Sequence, residues 1–402
     1  MATIEEAVQG GVSFALTDEQ KELRALAREF AAKEIRPRAA EYDVAMKHPA
    51  DVIAKAHELG LMNLHIPVEH GGLGLGAFDG MLVGEELNWG CTGIGTSLGA
   101  NGLGAGPVII AGSDEQKATW LPPLLEEPIL CSFGLSEPDA GSDVARLKTT
   151  AERRGDEYVL NGSKTFITNA GYANWTVVFA KTDVAKGHRG MSAFIVPMDT
   201  PGVTIEQHLD KMGQRATDTS AFALQDVRIP VENRIGEEGD GFKIAMATLD
   251  ATRPGTAIGA VGVAQAAYEH SVEYAKQRVT FDLPIAMHQG VSFMIADMAT
   301  EIEAARLLTW QSAVMLDQGR RNTLASSHAK RFAADTAMKV TTDAVQVYGG
   351  YGFIKDYPVE KLMRDAKIMQ LYEGTSQIQR LVIARETLLP RDIAEPAAAA
   401  VA

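Results

Sequence analysis

The sequence predicts an α+β protein, mainly helical, with an N-terminal helical domain, a middle β domain and a C-terminal four-helix bundle. Apolar residues follow helical spacing up to residue 128 and again from 241, whereas β-branched and aromatic runs fill the segment between. Because strands and helices are segregated, we expect the β domain to be an antiparallel barrel or sandwich. The predicted domains are residues 1–128, 129–240 and 241–390, with a disordered tail at 391–402.

Composition narrows the classes of function. The 402 residues carry a net charge of −14, and no run of Lys or Arg exceeds two residues, so the basic stripe expected of a nucleic-acid-binding protein is missing. Cys91 and Cys131 are too few for a disulfide framework, and two buried thiols in a reducing compartment are the simplest expectation.

The N-terminal segment indicates no targeting signal. Residues 1–20 contain four acids and no Lys or Arg, unlike a secretory signal or a mitochondrial presequence. No apolar stretch approaches the roughly 20 residues that cross a bilayer. We therefore expect a cytoplasmic protein without a membrane span.

In the first domain, Thr17-Asp-Glu-Gln20 and Ser113-Asp-Glu-Gln116 fit capping boxes at helix starts. Gly72-Leu-Gly74-Leu-Gly76-Ala77 satisfies a loose dinucleotide fingerprint, but no clean strand precedes it, and Ser97 stands where a ribose-binding acid is expected. We predict a loop between helices there.

A zinc site at His65 and His70 is a weak interpretation, since only Glu69 lies beside them and a surface loop explains the pattern better. No metal site is predicted.

In the β domain, runs at 158–160, 165–168, 175–179 and 193–196 predict strands, with turns at Asn161-Gly162 and Pro201-Gly202. In the last domain, apolar residues recur at three and four from Val261 to Val272 and from Val291 to Ala305. These stripes predict long antiparallel helices, and core packing is the default role of their residues.

Two loop motifs could carry chemistry. Leu135-Ser-Glu-Pro-Asp-Ala-Gly-Ser-Asp143 is a polar loop in which Gly141 would allow a planar ligand to approach closely, although a plain turn-rich connection explains it equally well. The stretch from Asn161 to Asn169 reads as a hairpin turn followed by a strand, and it places Thr168 and Asn169 at the strand end. There they could face a ligand, or the strand could simply be an edge strand.

Two further motifs contain carboxylates. In Leu371–Arg380, Thr375 is a suitable N-cap, so that Glu373, beside Tyr372, would lie next to free amides able to hold an oxyanion. That pairing suits enolate chemistry, although in isolation a solvated acid near a helix start is the simpler interpretation of Glu373. The pair in Asp250-Ala-Thr-Arg253 alone would be a surface ion pair.

Together and in this order, the motifs resemble the acyl-CoA dehydrogenase family, most closely its medium-chain enzymes, from about Leu16 to Thr387. Further stretches that carry the resemblance are Ile66-Pro67 with Gly71–Gly76, Gly84–Leu87, Met212–Arg215, Gln277–Phe281, His288-Gln289, Tyr348–Gly350, Tyr357–Asp365 and Tyr372–Thr375.

The resemblance implies an FAD enzyme that converts a fatty acyl-CoA to the trans-2-enoyl-CoA, the first step of fatty acid β-oxidation. Glu373 would remove the α-proton while hydride passes to the flavin. The family binds FAD between the β domain and the bundle, passes electrons to electron-transfer flavoprotein, and forms homotetramers as dimers of dimers.

The resemblance also implies residue roles. FAD would be contacted by Leu135, Ser136, Ser142, Phe166, Ile167, Thr168, Thr375 and Gln377. The FAD of a neighbouring subunit would be met by Arg278, Thr280, Phe281, Gln289, Gln346, Gly349 and Gly350. The substrate would be bound by Ser142, Asp250, Arg253, Tyr372, Gly374 and Arg385.

Two departures from the medium-chain pattern bear on function. Phe166 stands where those enzymes have Trp, and Gly99 replaces an acid at the far end of the acyl pocket, which leaves chain length open. We expect straight medium-to-long chains. Some relatives place the base on the helix near Arg253, where Thr252 stands here and cannot act as a base. Two alternatives remain: an acyl-CoA oxidase that reduces oxygen, and a catalytically silent CoA-binding protein.

Overall fold

The computed structural model describes residues 14–389, so the predicted disordered tail lies outside the described residues. Its N-terminal domain is helical, as predicted. The helices are α1 (Asp18–Phe30), α2 (Ala39–Ala45), α3 (Ala50–Glu58), α4 (Ala77–Gly90), α5 (Thr92–Ala111), α6 (Asp114–Trp120) and α7 (Pro123–Glu126). Both capping boxes are confirmed, at Thr17 and at Ser113. The glycine-rich segment before α4 is a loop, also as predicted.

Helix α5 corrects one expectation. By length and composition, it is the one helix among the described residues that could cross a membrane. The expectation that no apolar stretch approaches the length needed to cross a bilayer was therefore wrong. In the structure, 56% of its most apolar window is buried. In this helix, the side-chain oxygen of Asn101 accepts a hydrogen bond from the Cys131 amide at 2.9 Å, and its side-chain nitrogen donates to the Ile129 carbonyl at 3.1 Å. These contacts tie α5 to the protein interior.

The middle domain is a β sheet. Its strands are β1 (Cys131–Gly134), β2 (Thr150–Arg154), β3 (Glu157–Thr168), β4 (Trp175–Lys181), β5 (Met191–Pro197), β6 (Val203–His208), β7 (Thr219–Pro230) and β8 (Arg234–Ile235). The strand order is β6-β7-β3-β2-β4-β5-β8, with β1 beside β4. Most neighbours are antiparallel, as predicted, but β1 pairs with β4 in parallel and β2 meets β4 in parallel at one residue pair.

Alternating side chains cover both faces of this sheet. On β4, Val177 and Phe179 pack towards α5 to α7 and the start of α8, whereas Val178 and Ala180 pack on the opposite face against Phe222 and its neighbours. Since both faces are buried, apolar side chains point to both sides of the strand from Val177 to Ala180.

The predicted hairpin turn at Asn161-Gly162 was wrong. Strand β3 continues through both residues, and its pairing with β7 shifts register between Leu160 and Gly162. The Asn161 side chain exchanges hydrogen bonds with Asp226 of β7 at 2.8 and 3.1 Å. The dipeptide is therefore a β-bulge stabilised by its neighbouring strand. The turn predicted at Pro201-Gly202 is present.

The C-terminal domain is the predicted helical bundle. It contains α8 (Gly241–Gln277), α9 (Gln289–Asp317), α10 (Thr323–Tyr348), α11 (Val359–Lys367) and α12 (Ser376–Leu388), and a short hairpin of β9 (Val279–Thr280) and β10 (Leu283–Pro284) follows α8. The three long helices pack on one another and α12 packs on α10. Within the predicted stripes, Val261, Ala264, Met298 and Ile302 are buried.

The helical domains share one hydrophobic core, in which Trp89 and Ile94 of the first domain pack with Ile258 and Val261 of α8. A polar contact reinforces this union. The Asp317 carboxylate, at the end of α9, accepts hydrogen bonds from the amides of Ala77 and Phe78 at 2.5 and 2.9 Å. Helix α4 is thus capped by a side chain from another domain.

Candidate active site

The loop between α11 and α12 turns sharply at Glu373. Both Glu373 and Gly374 have left-handed backbone, with φ of 50° and 88°. Thr375 then caps α12, since its hydroxyl oxygen accepts the Ile378 amide at 3.0 Å, which confirms the predicted N-cap. A left-handed conformation is unfavourable for a glutamate and persists only where surrounding contacts enforce it.

Those contacts bind the two carbonyl groups of the turn. The Lys330 ammonium on α10 donates to the Gly374 oxygen at 2.7 Å, and the Gln379 amide donates to the Gly374 and Glu373 oxygens at 3.1 and 3.3 Å. By contrast, the Glu373 N–H has no hydrogen-bond acceptor among residues 14–389. The turn therefore keeps both carbonyls satisfied and leaves the Glu373 amide free.

The Glu373 carboxylate faces α8. Its Oε2 accepts a hydrogen bond from the Thr252 hydroxyl at 3.4 Å. Burial raises the pKa of the Glu373 carboxyl above its usual range, although the Thr256 hydroxyl, the charges of Lys330 and Arg253, and the Thr252 hydroxyl act in the opposite direction. A raised pKa moves a carboxylate towards the range in which a general base works best near neutral pH.

Asp250 and Arg253 do form an ion pair, at 2.5 Å, but it is not on the surface as their spacing alone would indicate. Arg253 is buried and also donates to Ser326 at 2.9 Å. Its Nε has no hydrogen-bond partner among the described residues. A buried cation with an unused donor close to Glu373 is suited to a polar or anionic ligand group.

A second buried ion pair shapes the polar loop that follows β1. Lys164 of β3 contacts the Glu137 carboxylate and the Phe179 carbonyl at 2.7 Å each, and the Leu135 carbonyl at 3.3 Å. Burial lowers the pKa of Lys164 to about 8. The buried Lys164 thus anchors the loop from Leu135 to Asp143. It lies within the Asn161–Asn169 motif but was not predicted to be a site residue.

The end of β3 presents an aromatic ring beside this loop. The Thr165 amide donates to the Ser136 carbonyl at 3.0 Å, and the pairing with β7 shifts between Lys164 and Ile167. This second bulge puts Phe166 in a left-handed conformation (φ 60°) and leaves it 68% exposed. The predicted residues Leu135, Ser136 and Phe166–Thr168 therefore lie together around an exposed ring.

Gln214 connects the first helical domain to the Glu373 loop. Its side chain contacts the Thr96 hydroxyl at 3.1 Å and the Tyr372 hydroxyl at 3.4 Å. The side-chain amide of Asn169, which follows β3, donates a hydrogen bond to the Ser97 carbonyl at 2.9 Å. The first helical domain thus bridges the two parts of the site. Gln214 was missed as a site residue, although it lies within a stretch that carried the resemblance.

Other predicted residues lie far from Glu373. Arg278 follows the C-terminal end of α8, roughly 40 Å along that helix from Thr252. Tyr274 stacks on Tyr348 with ring centroids 4.0 Å apart, so the end of α10 lies at the same place. This distant end carries Arg278, Thr280, Phe281, Gln289, Gln346, Gly349 and Gly350.

Three further predicted residues are exposed to solvent in the single chain. Ser142 and Gln377 are exposed. Arg385 is 53% exposed at its side chain and pairs with Glu386 at 3.2 Å. The structure therefore assembles the Glu373 and Phe166 regions within one chain, but not the whole predicted residue set.

Comparison with known proteins covers nearly the whole chain. Three family models match: "Acyl-CoA dehydrogenase, N-terminal domain" over residues 17–128, "middle domain" over 132–227 and "C-terminal domain" over 239–388. A Caenorhabditis briggsae protein named a probable mitochondrial medium-chain specific acyl-CoA dehydrogenase is 44% identical over 94% of this chain and 92% of its own length.

Two solved structures are similar throughout. Butyryl-CoA dehydrogenase from Megasphaera elsdenii has 43% identity and a TM-score of 0.92, over 94% of this chain and 100% of that one. A structure of PigA with FAD and proline has 29% identity and a TM-score of 0.90, over 94% of this chain and 100% of that one.

Proposed function

The chain belongs to the acyl-CoA dehydrogenase family, and we propose that it oxidises a fatty acyl-CoA thioester to the trans-2-enoyl-CoA, the first step of fatty acid β-oxidation. The observation that carries this proposal is the geometry of one residue. Glu373 combines a carboxylate of raised pKa with an unused backbone N–H.

In the proposed reaction the Glu373 carboxylate removes the proton from the α-carbon. An α-proton of a thioester is a weak acid, so the negative charge that develops on the carbonyl oxygen must be stabilised. The free N–H of Glu373 supplies one donor for that oxygen. The raised pKa of the Glu373 carboxyl makes its carboxylate a stronger base and narrows the difference between its pKa and that of the α-proton.

FAD is the cofactor of this family, and the residues present fit a flavin. Phe166 offers an exposed flat face beside the Ser136 carbonyl, and a Cβ added at Gly141 would meet nothing within 4 Å, so the loop leaves room for a ring system. When bound, FAD accepts the electrons that the substrate loses. Leu135, Ser136 and Phe166–Thr168 are the residues that would hold its ring.

Arg253 and Asp250 are proposed to bind the CoA portion. The buried guanidinium of Arg253, with its unused Nε, can pair with a polar or phosphate oxygen. Tyr372 and Gly374 would line the reacting end, Ser142 would border both ligands, and Arg385 would take the remaining substrate-side position.

The residues at the distant end of the bundle support the proposed assembly. Phe281 there is 91% exposed in the single chain, and this end cannot reach its own Glu373 site. We propose that it meets the FAD of a neighbouring subunit in a homotetramer, and that electron-transfer flavoprotein takes up the electrons.

Anaerobic titration of the purified yellow protein with acyl-CoA tests the proposal. We expect the flavin absorbance to bleach, and to return with electron-transfer flavoprotein much faster than with air. Fast reoxidation by air would indicate an oxidase. A colourless protein, or one that no acyl-CoA bleaches, would indicate a silent CoA-binding protein.

A further inference from the structure

A buried lysine lies against the turn that carries the proposed base. Lys330 projects from α10, is 0% exposed, and donates to the Gly374 carbonyl at 2.7 Å. None of the sequence motifs singled it out. Glu373 immediately precedes Gly374, and both residues have a left-handed backbone conformation.

We propose that Lys330 is a positioning residue for proton abstraction: it anchors the Gly374 carbonyl, thereby holds the left-handed turn that aims the Glu373 carboxylate, and supplies a positive charge beside it. This inference rests on the proposed function, in which Glu373 is the base.

The anchoring role follows from the hydrogen bonds of the turn. Without the lysine, the Gly374 oxygen would keep only the longer contact to Gln379 at 3.1 Å, and a partly buried carbonyl that loses its stronger donor is destabilised. The unfavourable conformation of Glu373 could then relax, because the turn would lose one of the two side chains, Lys330 and Gln379, that bind its carbonyl groups. Even a displacement of about 1 Å at a reacting group can cost about 100-fold in rate.

The charge has a separate effect. The groups acting on the Glu373 carboxylate are Thr252, Thr256 and Arg253 from α8 and Lys330 from α10. Lys330 in turn is influenced by Glu373, Arg253 and, on its own helix, Asp335. Since an ammonium stabilises a nearby carboxylate, Lys330 limits how far burial can raise the pKa of Glu373.

Burial of a lysine is costly, which argues against a simple packing role. A neutral side chain of similar length would fill the same space without the cost of removing a charge from water. Burial lowers the pKa of Lys330 to about 8, so it is largely charged at neutral pH.

The test isolates proton abstraction from oxidation. The holoenzyme is incubated in D₂O with an acyl-CoA whose β-carbon carries no hydrogen, so that only exchange of the α-proton can occur, and exchange is followed by NMR across pH. We expect Lys330→Met to slow exchange by about 100-fold and to move the acidic limb of the profile to higher pH. Substrate affinity should change little.

Two further variants separate the effect of the hydrogen bond to Gly374 from the effect of the positive charge. Lys330→Arg keeps the charge and the donor, and should recover part of the rate and the parent's acidic limb. Lys330→Gln keeps a donor without charge, and should recover part of the rate while its limb stays shifted. Lys339→Met is the matched control, because Lys339 is an exposed lysine of the same helix that pairs with Glu301 at 2.6 Å; it should match the parent.

Parent-like exchange and parent-like pH dependence in Lys330→Met would overturn the proposal. If that variant does not fold, as judged by its thermal transition, the Gln and Arg variants decide: an unshifted limb in Lys330→Gln, at the parent's rate, overturns it equally. Failure of the underlying function is distinguishable, because Glu373→Gln would then exchange the α-proton as fast as the parent.

Discussion

The Thr252 hydroxyl donates a hydrogen bond to Oε2 of Glu373 at 3.4 Å, which brings the early part of α8 against the loop before α12. The family resemblance implies that some relatives carry their base at the position that Thr252 occupies here. The two possible locations are therefore neighbours in space, although the intervening chain includes most of the bundle. A carboxylate on α8 or in the loop before α12 could therefore remove a proton at the same site.

Glu373→Gln should lose activity by about 10²–10⁴-fold, the usual contribution of a general base. It should also be more stable than the parent at neutral pH. Because burial raises the pKa of Glu373, the favourable, protonated form is lost as pH rises above the ordinary carboxyl range, and glutamine avoids that cost. Thermal unfolding from pH 4 to 8 should show the difference growing with pH, and a less stable variant at pH 8 would contradict it.

Thr252→Glu in the Glu373→Gln background should restore part of the lost activity, since the new carboxylate starts from a residue already in contact with position 373. Steady-state turnover of one acyl-CoA checks this. Thr252→Gln in the same background is the control and should restore nothing. Equal activity of the two double variants would show that the site accepts a base only from the loop side.

Lys164→Met should destabilise the protein by about 3–5 kcal/mol, because the Glu137 carboxylate stays buried without its ionic partner. It should also lower the flavin content, since the Leu135 carbonyl loses its anchor. Denaturant unfolding and the flavin-to-protein absorbance ratio measure both. The double variant Lys164→Met/Glu137→Gln should recover much of the stability. A single variant as stable as the parent would rule out a structural role for the pair.

Asp317→Ala should cost about 0.5–2 kcal/mol, the usual effect of removing a helix cap, because the amides of Ala77 and Phe78 would lose their acceptor. Unfolding of the parent, of this variant and of Glu22→Ala, an exposed acid in α1, provides the comparison. The control should stay within about 0.5 kcal/mol. An equal effect of both substitutions would argue against the interdomain cap.

A panel of acyl-CoA substrates tests chain length. We expect the highest kcat/KM for straight medium-to-long chains, because glycine stands at position 99 where the family resemblance implies an acid at the far end of the acyl pocket. Gly99 is exposed, and a Cβ added there would meet no atom within 4 Å. Gly99→Glu should shift preference to shorter chains, whereas Gly290→Ala, at another uncrowded glycine near the distant end of the bundle, should not. Preference for a short branched chain would contradict the expectation.

Local signals were sufficient for much of the fold. The capping boxes at Thr17 and Ser113 were predictable because donor and acceptor lie within four residues of each other. The helical stripes of α8 and α9 were predictable because burial of one face repeats with the helix period. Asn161-Gly162 was misjudged because the same dipeptide can turn or bulge, and here the contact with Asp226 of another strand determines which.

The sequence by itself determined the order of helical and β domains, the three helix starts capped by Thr17, Ser113 and Thr375, the family and the identity of the proposed base. Only the tertiary structure showed that Thr252, Lys330 and Gln214 lie around the Glu373 loop, and that Arg278 and its neighbours lie at the distant end. The reason is physical. A motif records which groups are available along a chain, whereas burial, pKa and hydrogen bonding depend on which distant segments pack against them.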